Sequence, residues 1–211
     1  MVWLRPLWRW PRRRGPSLAT LVSEGFIAID LETTGLDPRT DAVVAAAAIE
    51  IVAGDPRPGY ATLVNPGRPI PHTATAVHGI TDAAVAFAPR IEEVLDALEA
   101  VCGDRVLVGH RIDFDVAILA RERRLRGRPT HRNVTICTMR LAAALYPAWG
   151  DVGLDAVAGR LAIPIPDRHT ARGDALASAR ILLALLVELQ RRGIGTLDEL
   201  LWLQSTASLH A

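Results

Sequence analysis

From residue 25 onward the apolar and polar positions fall into short blocks with two distinct periods. Residues 26–32, Phe-Ile-Ala-Ile-Asp-Leu-Glu, form an apolar run stopped by Thr33, Thr34 and Gly35, which predicts a buried strand. Residues 43–52 and 60–64 predict two further strands, separated by the turn-forming Gly54, Asp55, Pro56, Arg57, Pro58 and Gly59. The alanines at 45–48 are locally compatible with helix as well. Residues 65–71 read as a loop, 91–101 as a helix and 106–108 as a short strand. Residues 113–126 have helical spacing with an apolar face at Phe114, Ile118 and Leu119, and Gly127 and Pro129 end that helix. Helical patterns at 138–145, 154–161, 174–190 and 196–203 complete the chain. Strands first, then strand and helix alternating, predict a three-layer α/β or α+β domain. There is no internal repeat.

The chain has 211 residues, enough for one domain with a full core and a short appendage. Half of it is apolar, yet charges break every run before the roughly 18–20 residues that span a bilayer, so a soluble, cytoplasmic protein is expected. All 24 basic residues are Arg. The absence of Lys excludes a catalytic lysine and a GxxxxGK phosphate loop, and leaves phosphate contacts to guanidinium groups. A net charge of +1 neither demands nor excludes a nucleic-acid partner. Cys102 and Cys137 match no zinc or redox spacing and read as buried, inert thiols.

Residues 1–18 differ from the rest: Trp3, Trp8 and Trp10 stand among Arg5, Arg9, Arg12, Arg13 and Arg14, without an acid. This basic extension reads as flexible and solvated, as a nucleic-acid contact, or as an interfacial anchor on anionic lipid. Arg5 and Arg9 interrupt any secretory signal core. The main domain is expected over 25–190, with a helical tail over 191–211. Residues 200–211 offer only a loose apolar stretch around Gln204, so no polymerase-clamp motif is evident.

Candidate chemistry lies in three clusters. Asp30 and Glu32 are two apart on a strand and therefore share a face, while Ile27, Ile29 and Leu31 point the other way. Such a pair is readily tolerated when a divalent cation sits between the carboxylates; the alternative is an edge strand with solvated acids. In Gly109-His110-Arg111-Ile112-Asp113-Phe114-Asp115 a strand gives way to a helix. Asp113 is expected to cap that helix, and Asp115 either faces the strand end or simply complements the helix dipole. In His169-Thr170-Ala171-Arg172-Gly173-Asp174, His169 lies on a proline-bounded loop and suits a general base, because histidine ordinarily titrates near neutrality. Asp174 either caps the following helix or joins the other acids.

Together the clusters resemble the DnaQ-like exonucleases, specifically the DEDDh group of the RNase H-like superfamily. D-x-E before T-x-G is matched by Asp30-Leu31-Glu32-Thr33-Thr34-Gly35, the second motif by His110 and Phe114-Asp115, and H-x4-D by His169 and Asp174. Val64-Asn65-Pro66-Gly67 and Val77-His78-Gly79-Ile80-Thr81 are also similar to the family's substrate-strand region. The resemblance spans about residues 25–190. It departs at Arg111, where the family usually carries Asn; the change would disturb a local hydrogen bond or add a cation near the phosphate path.

The resemblance implies an RNase H-like three-layer α/β/α fold with a mixed central sheet, and 3′→5′ exonuclease activity releasing 5′-mononucleotides. It implies that Asp30, Glu32, Asp115 and Asp174 bind two divalent cations, Mg2+ or Mn2+, and that His169 takes a proton from the attacking water. Leu36 and Val77 would flank the terminal base, with His78 and Phe114 near the last nucleotides and the backbone of Thr33, Thr34 and Gly35 at the 3′-hydroxyl. Phe114 also reads as core from its spacing with Ile118. The expected partner is a nucleic-acid 3′ end, DNA before RNA, in proofreading or repair. The alternatives are an exoribonuclease of the same superfamily and a catalytically silent nucleic-acid or polymerase-binding module.

Overall fold

A computed structural model describes residues 15–130 and 132–207. Helix α1 (Leu18–Glu24) leads into β1 (Phe26–Thr33), β2 (Val43–Val52) and β3 (Asp55–Leu63), followed by the short α2 (His72–His78) and α3 (Asp82–Val85) and then α4 (Ile91–Cys102). The second half comprises β4 (Leu107–Gly109), α5 (Ile112–Leu125), β5 (Thr135–Cys137) and α6 (Thr138–Leu145), with a 3-10 turn at Pro147–Trp149. Helices α7 (Leu154–Arg160), α8 (Ala171–Arg191) and α9 (Leu197–Ser205) complete it. The strands form one mixed sheet in the order β3-β2-β1-β4-β5. Strand β2 runs antiparallel to β1 and β3, while β4 and β5 run parallel to β1. The expected RNase H-like α/β/α arrangement holds.

Alternation along β1 sorts its side chains between two cores. Phe26 and Ala28 pack with Ala175, Leu182 and Leu185 of α8 on one face. Ile27, Ile29 and Leu31 pack with Leu95 and Leu98 of α4 and with Ile118 of α5 on the other. Asp30 and Glu32 continue the α8 face. The alanines of β2 divide in the same way, Ala45 and Ala47 toward α8 and Ala46 and Ala48 toward α4. Alanine's helical preference yields here to ladder pairing on both sides, with Ala47 opposite Asp30 and Ala61. Its small side chain lets α8 lie close to the sheet, and α8 responds with Ala171, Gly173, Ala175 and Ala177. At Gly173 a Cβ would stand 1.9 Å from the Asp167 carbonyl oxygen, so this approach requires glycine.

Several boundaries differ from the pattern-based expectation. Residues 55–59 are strand rather than turn: only Ala53 and Gly54 turn, with φ of 53° and 84°, as a two-residue hairpin requires. Pro56 and Pro58 belong to β3, an edge strand, where a missing N–H can face outward. Strand β5 escaped prediction because Asn133 and Thr135 interrupt its apolar run, whereas the equally short β4 overlaps the unbroken apolar run 106–108. Helix α8 starts at Ala171, since Thr170 accepts from the Gly173 N–H at 3.0 Å.

The open edge of β5 is covered by one side chain. Gln204 Oε1 accepts from the Cys137 N–H and its Nε2 donates to the Thr135 carbonyl, both at 3.0 Å, so the amide serves as a one-residue strand. Helix α9 is further tied to α1: the Leu18 N–H donates to the Gly195 carbonyl at 2.8 Å and the Leu197 N–H to Pro16 at 2.9 Å. Ser17 caps α1 and Leu18 is fully buried, whereas the remainder of the basic extension, residues 1–14, lies outside the described residues. Both cysteines are buried free thiols, and burial pushes Cys102 up to about 11. Among the described residues no helix is long and apolar enough to cross a membrane.

Packing at α8 gives a paired prediction. Gly173→Ala will cost about 1–3 kcal/mol by forcing α8 off the loop that carries His169. Gly159→Ala on α7, where a Cβ meets nothing within 4 Å, will instead stabilise by roughly 0.5–1 kcal/mol. Thermal unfolding of the two variants checks the pair, and equal behaviour would contradict the close approach.

Candidate active site

Three chain segments meet at the carboxyl end of β1. Asp30 and Glu32 project from β1 toward α8, and the first turn of α8 presents Asp174. One carboxylate oxygen from each of the three lies within 4.8 Å of the others. Asp115 enters from the first turn of α5, where β4 has ended. The β1–β4 ladder stops at Ala28 and Val108. Beyond it the Leu31 N–H donates to Asp115 Oδ1 at 3.1 Å, which locks this acid beside β1.

The electrostatics of the cluster are those of crowded anions. Lost hydration, followed by Asp115, Asp174 and Glu32, raises Asp30 well above the carboxylate range. Burial and the Asp174 charge push Glu32 up to about 7. Burial pushes Asp115 up to about 8, although its own N–H and that of Leu31 oppose the shift. Burial also raises Asp174, against Arg168. Asp174 Oδ1 is buried and has no hydrogen-bond partner. Oxygen-only donors, an orphaned carboxylate oxygen and mutual repulsion fit a hard divalent cation.

One guanidinium partly offsets the repulsion. Arg168 bridges Asp174 Oδ2 through Nη1, and its Nε donates to Asp155 Oδ1 of α7 at 2.7 Å. The same Nη1 lies 3.2 Å from His169 Nδ1. His169 itself is exposed, in a left-handed backbone conformation with φ 62°, just before the α8 cap. Arg168 went unnoticed in the sequence; its position beside His169 was the available signal, but its two acidic partners come from different helices.

Other site residues are placed unevenly. Leu36 and Phe114 line a cleft of about 180 Å3 together with Asp30, Arg111 and Asp115. His78 and His169 line a second cleft of about 270 Å3. Leu36 is 85 % exposed; Val77 is 57 % exposed on α2 but lines neither cleft. Phe114 is half-buried against the α4–α5 core, so it serves as packing as well as cleft wall. His78 Nδ1 accepts from the Ile80 N–H at 3.0 Å and its Nε2 is buried without a partner.

Thr33, Thr34 and Gly35 line neither cleft, and their side chains and turn are held internally. Thr33 Oγ1 donates to the Gly35 carbonyl at 2.6 Å. Thr34 Oγ1 donates to Asp41 Oδ1 at 2.8 Å, and Asp41 Oδ2 accepts from the Asp37 N–H at 2.9 Å. At Gly35 a Cβ would stand 2.5 Å from Asp41, so glycine and aspartate fix this loop together. Asp41, like Arg168, had no periodic signature. A larger cleft of about 930 Å3 near Arg39, Asn65 and Arg121 contains none of the clustered acids.

Two expectations are corrected. Asp113 does not cap α5: the N-cap is Arg111, and Asp113 Oδ2 instead accepts from Arg140 Nη2 at 2.8 Å. Asp174 does not cap α8, because Thr170 does. His110 is a structural residue, with Nδ1 2.9 Å from Thr138 Oγ1 and Nε2 2.9 Å from the Val152 carbonyl oxygen. Burial holds it down at about 4.

The exonuclease family pattern matches residues 27–182, a span holding all four acids and His169. The chain belongs to this exonuclease family. A DNA polymerase III subunit epsilon-like protein of Rhodobacter capsulatus is 44 % identical over 181 residues, which are 83 % of this chain but 26 % of that protein. The chain thus spans about a quarter of that relative. The DNA polymerase III subunit epsilon of Aquifex aeolicus is 33 % identical over 177 residues, 83 % of this chain and 87 % of the relative. Among solved structures, exonuclease X in complex with 5′-overhanging duplex DNA superposes with a TM-score of 0.64 at 28 % identity, covering 85 % of this chain and 99 % of that one.

Crowding in this exonuclease domain makes a signed prediction. A carboxyl raised by folding binds its proton more tightly in the folded chain, so its stabilising contribution is complete below the unfolded pKa and disappears as pH rises through the folded one. In EDTA the melting temperature will therefore fall as Glu32 and Asp115 ionise, over the interval from 3.8 to about 8. Asp30→Asn will flatten that fall and raise the melting temperature at its upper end, and a saturating divalent cation will do the same for the wild type. A flat wild-type profile in EDTA would contradict the crowded-anion account.

Proposed function

We propose that the protein is a metal-dependent 3′→5′ exonuclease acting on DNA 3′ ends, in proofreading or repair. The observation that carries the proposal is the convergence of Asp30, Glu32, Asp115 and the half-satisfied Asp174 beside an exposed histidine. Support for DNA comes from the relatives, which are a replicative polymerase subunit and an exonuclease solved on DNA.

The four acids would hold two divalent cations, Mg2+ or Mn2+, which when bound supply charge stabilisation to the attacking and leaving oxygens of an in-line displacement. Water attacks the phosphorus of the last phosphodiester and the bond to the preceding 3′ oxygen breaks. A 5′-mononucleotide leaves, and the freed 3′ oxygen of the shortened strand takes a proton from solvent to become a hydroxyl. His169 takes the water's proton. Arg168 Nη1 stands 3.2 Å from its Nδ1 and leaves Nε2 as the ring nitrogen turned to other partners. Leu36 and Phe114 present apolar surface to the terminal base, with His78 beside the second cleft and the Thr33, Thr34 and Gly35 turn at the sugar.

Incubation of matched 5′-labelled DNA and RNA oligonucleotides with Mg2+, Mn2+ or EDTA tests this directly. The expected result is a metal-dependent ladder shortening from the 3′ end, faster on DNA. RNA shortened faster would make the protein an exoribonuclease, and no ladder under any condition would leave a binding module. Asp30→Asn and Asp174→Asn will abolish the ladder. His169→Ala will slow turnover about 10²–10⁴-fold while keeping the metal-induced rise in melting temperature.

A further inference from the structure

Arg111 occupies a conformation that its side chain does not favour and forms none of the contacts its neighbours form. As N-cap of α5 it is left-handed, with φ 69° and ψ 34°, a region that glycine and asparagine enter far more readily. Its carbonyl accepts from the Phe114 N–H at 2.9 Å, so its backbone conformation is fixed by the start of α5. Its guanidinium caps nothing and forms no hydrogen bond or ion pair among the described residues, although its charge reaches Asp115 and opposes the rise of that carboxyl.

The carboxylates within reach are already engaged or enclosed. Asp113 is held by Arg140 at 3.1 and 2.8 Å, and Asp115 is 4 % exposed with Oδ1 accepting from Leu31. Arg168, the other cation of the site, is bound to Asp155 and Asp174. Arg111 is thus an exposed, unpaired cation on the wall of the cleft that also holds Asp30, Leu36 and Phe114. A planar fork of five donors, next to acids that repel any anion, is the group that would offset their repulsion toward a nucleic-acid backbone.

We propose that Arg111 binds a non-scissile phosphate of the strand whose 3′ end occupies the site, setting affinity for that end rather than the rate of bond cleavage. This rests on the exonuclease reading above. It makes Arg111 a substrate-binding residue that a chain with asparagine at the same position would lack.

The test compares wild type with Arg111→Ala, Arg111→Lys and Arg111→Asn, all as the full chain. Binding of a 5′-labelled oligothymidylate is followed by anisotropy in EDTA across a salt series, and KM and kcat are measured separately with Mg2+. For Arg111→Ala the slope of log K against log salt should fall by about 0.7, the share of one phosphate on a single strand. Its KM should rise several-fold, with kcat within about twofold of wild type, as loss of uniform binding requires. Arg111→Lys should recover the slope but only part of the affinity, because it keeps the charge and loses the fork. Arg111→Asn suits the left-handed backbone; its weakened binding with an undiminished melting temperature would separate lost contact from lost fold. Unchanged slope and KM in Arg111→Ala, from a wild type that cleaves, would overturn this assignment and leave the exonuclease reading intact. So would a change confined to metal affinity, which would make Arg111 an internal counter-ion. A wild type that neither binds nor cleaves would remove both.

Discussion

Repulsion among carboxylates at one end of β1 is the constraint on which the rest of the architecture depends. Each acid brought out of water costs several kcal/mol unless it is paired, and here Asp30, Glu32, Asp115 and Asp174 share one small region. The fold does not relieve this by spreading them apart. It encloses them between two apolar cores, each built on one face of β1, and those cores supply the stabilisation that the cluster consumes. Sites that bind ions or substrates commonly sacrifice stability in this way.

Holding the acids together requires α8 to pack on β1 and β2 through small side chains. This packing is why β2 carries alanine at 45 and 47, the positions facing α8, and why α8 begins with alanine and glycine. A larger side chain at Ala45 or Ala47 would lift Asp174 away from Asp30, and a Cβ at Gly173 would meet the Asp167 carbonyl. Composition that looks merely helix-prone is thus a distance requirement of the site. Asp115 needs a different device, the Leu31 N–H left open where the short β4 ends.

Much of this was legible before any coordinates. Alternation on β1 placed Asp30 and Glu32 on one face, and the three motif clusters named the acids that now converge. The layered fold followed from the order of strands and helices. What was not legible depended on contacts between distant segments. Asp113 looked like a helix cap because caps are local, yet Arg140 of α6 claims it. Residues 55–59 looked like a turn because glycine and proline dominate them, yet an edge strand tolerates proline where a central one does not. Gln204 looked like part of a loose tail until the open edge of β5 gave its amide a partner.

Arg168 shows why charge and proton chemistry in this site cannot be separated. Its guanidinium neutralises part of the acid cluster through Asp174 while facing the lone pair of His169 Nδ1. The ion pair uses only one of the two oxygens of Asp174, and Oδ1 stays without a partner. Weakening that ion pair also weakens the hold on His169, since a single nitrogen, Nη1, makes both contacts. On its Nε side the same guanidinium is anchored to Asp155 at 2.7 Å. The charge balance of the acids and the surroundings of His169 Nδ1 are therefore tied to one side chain.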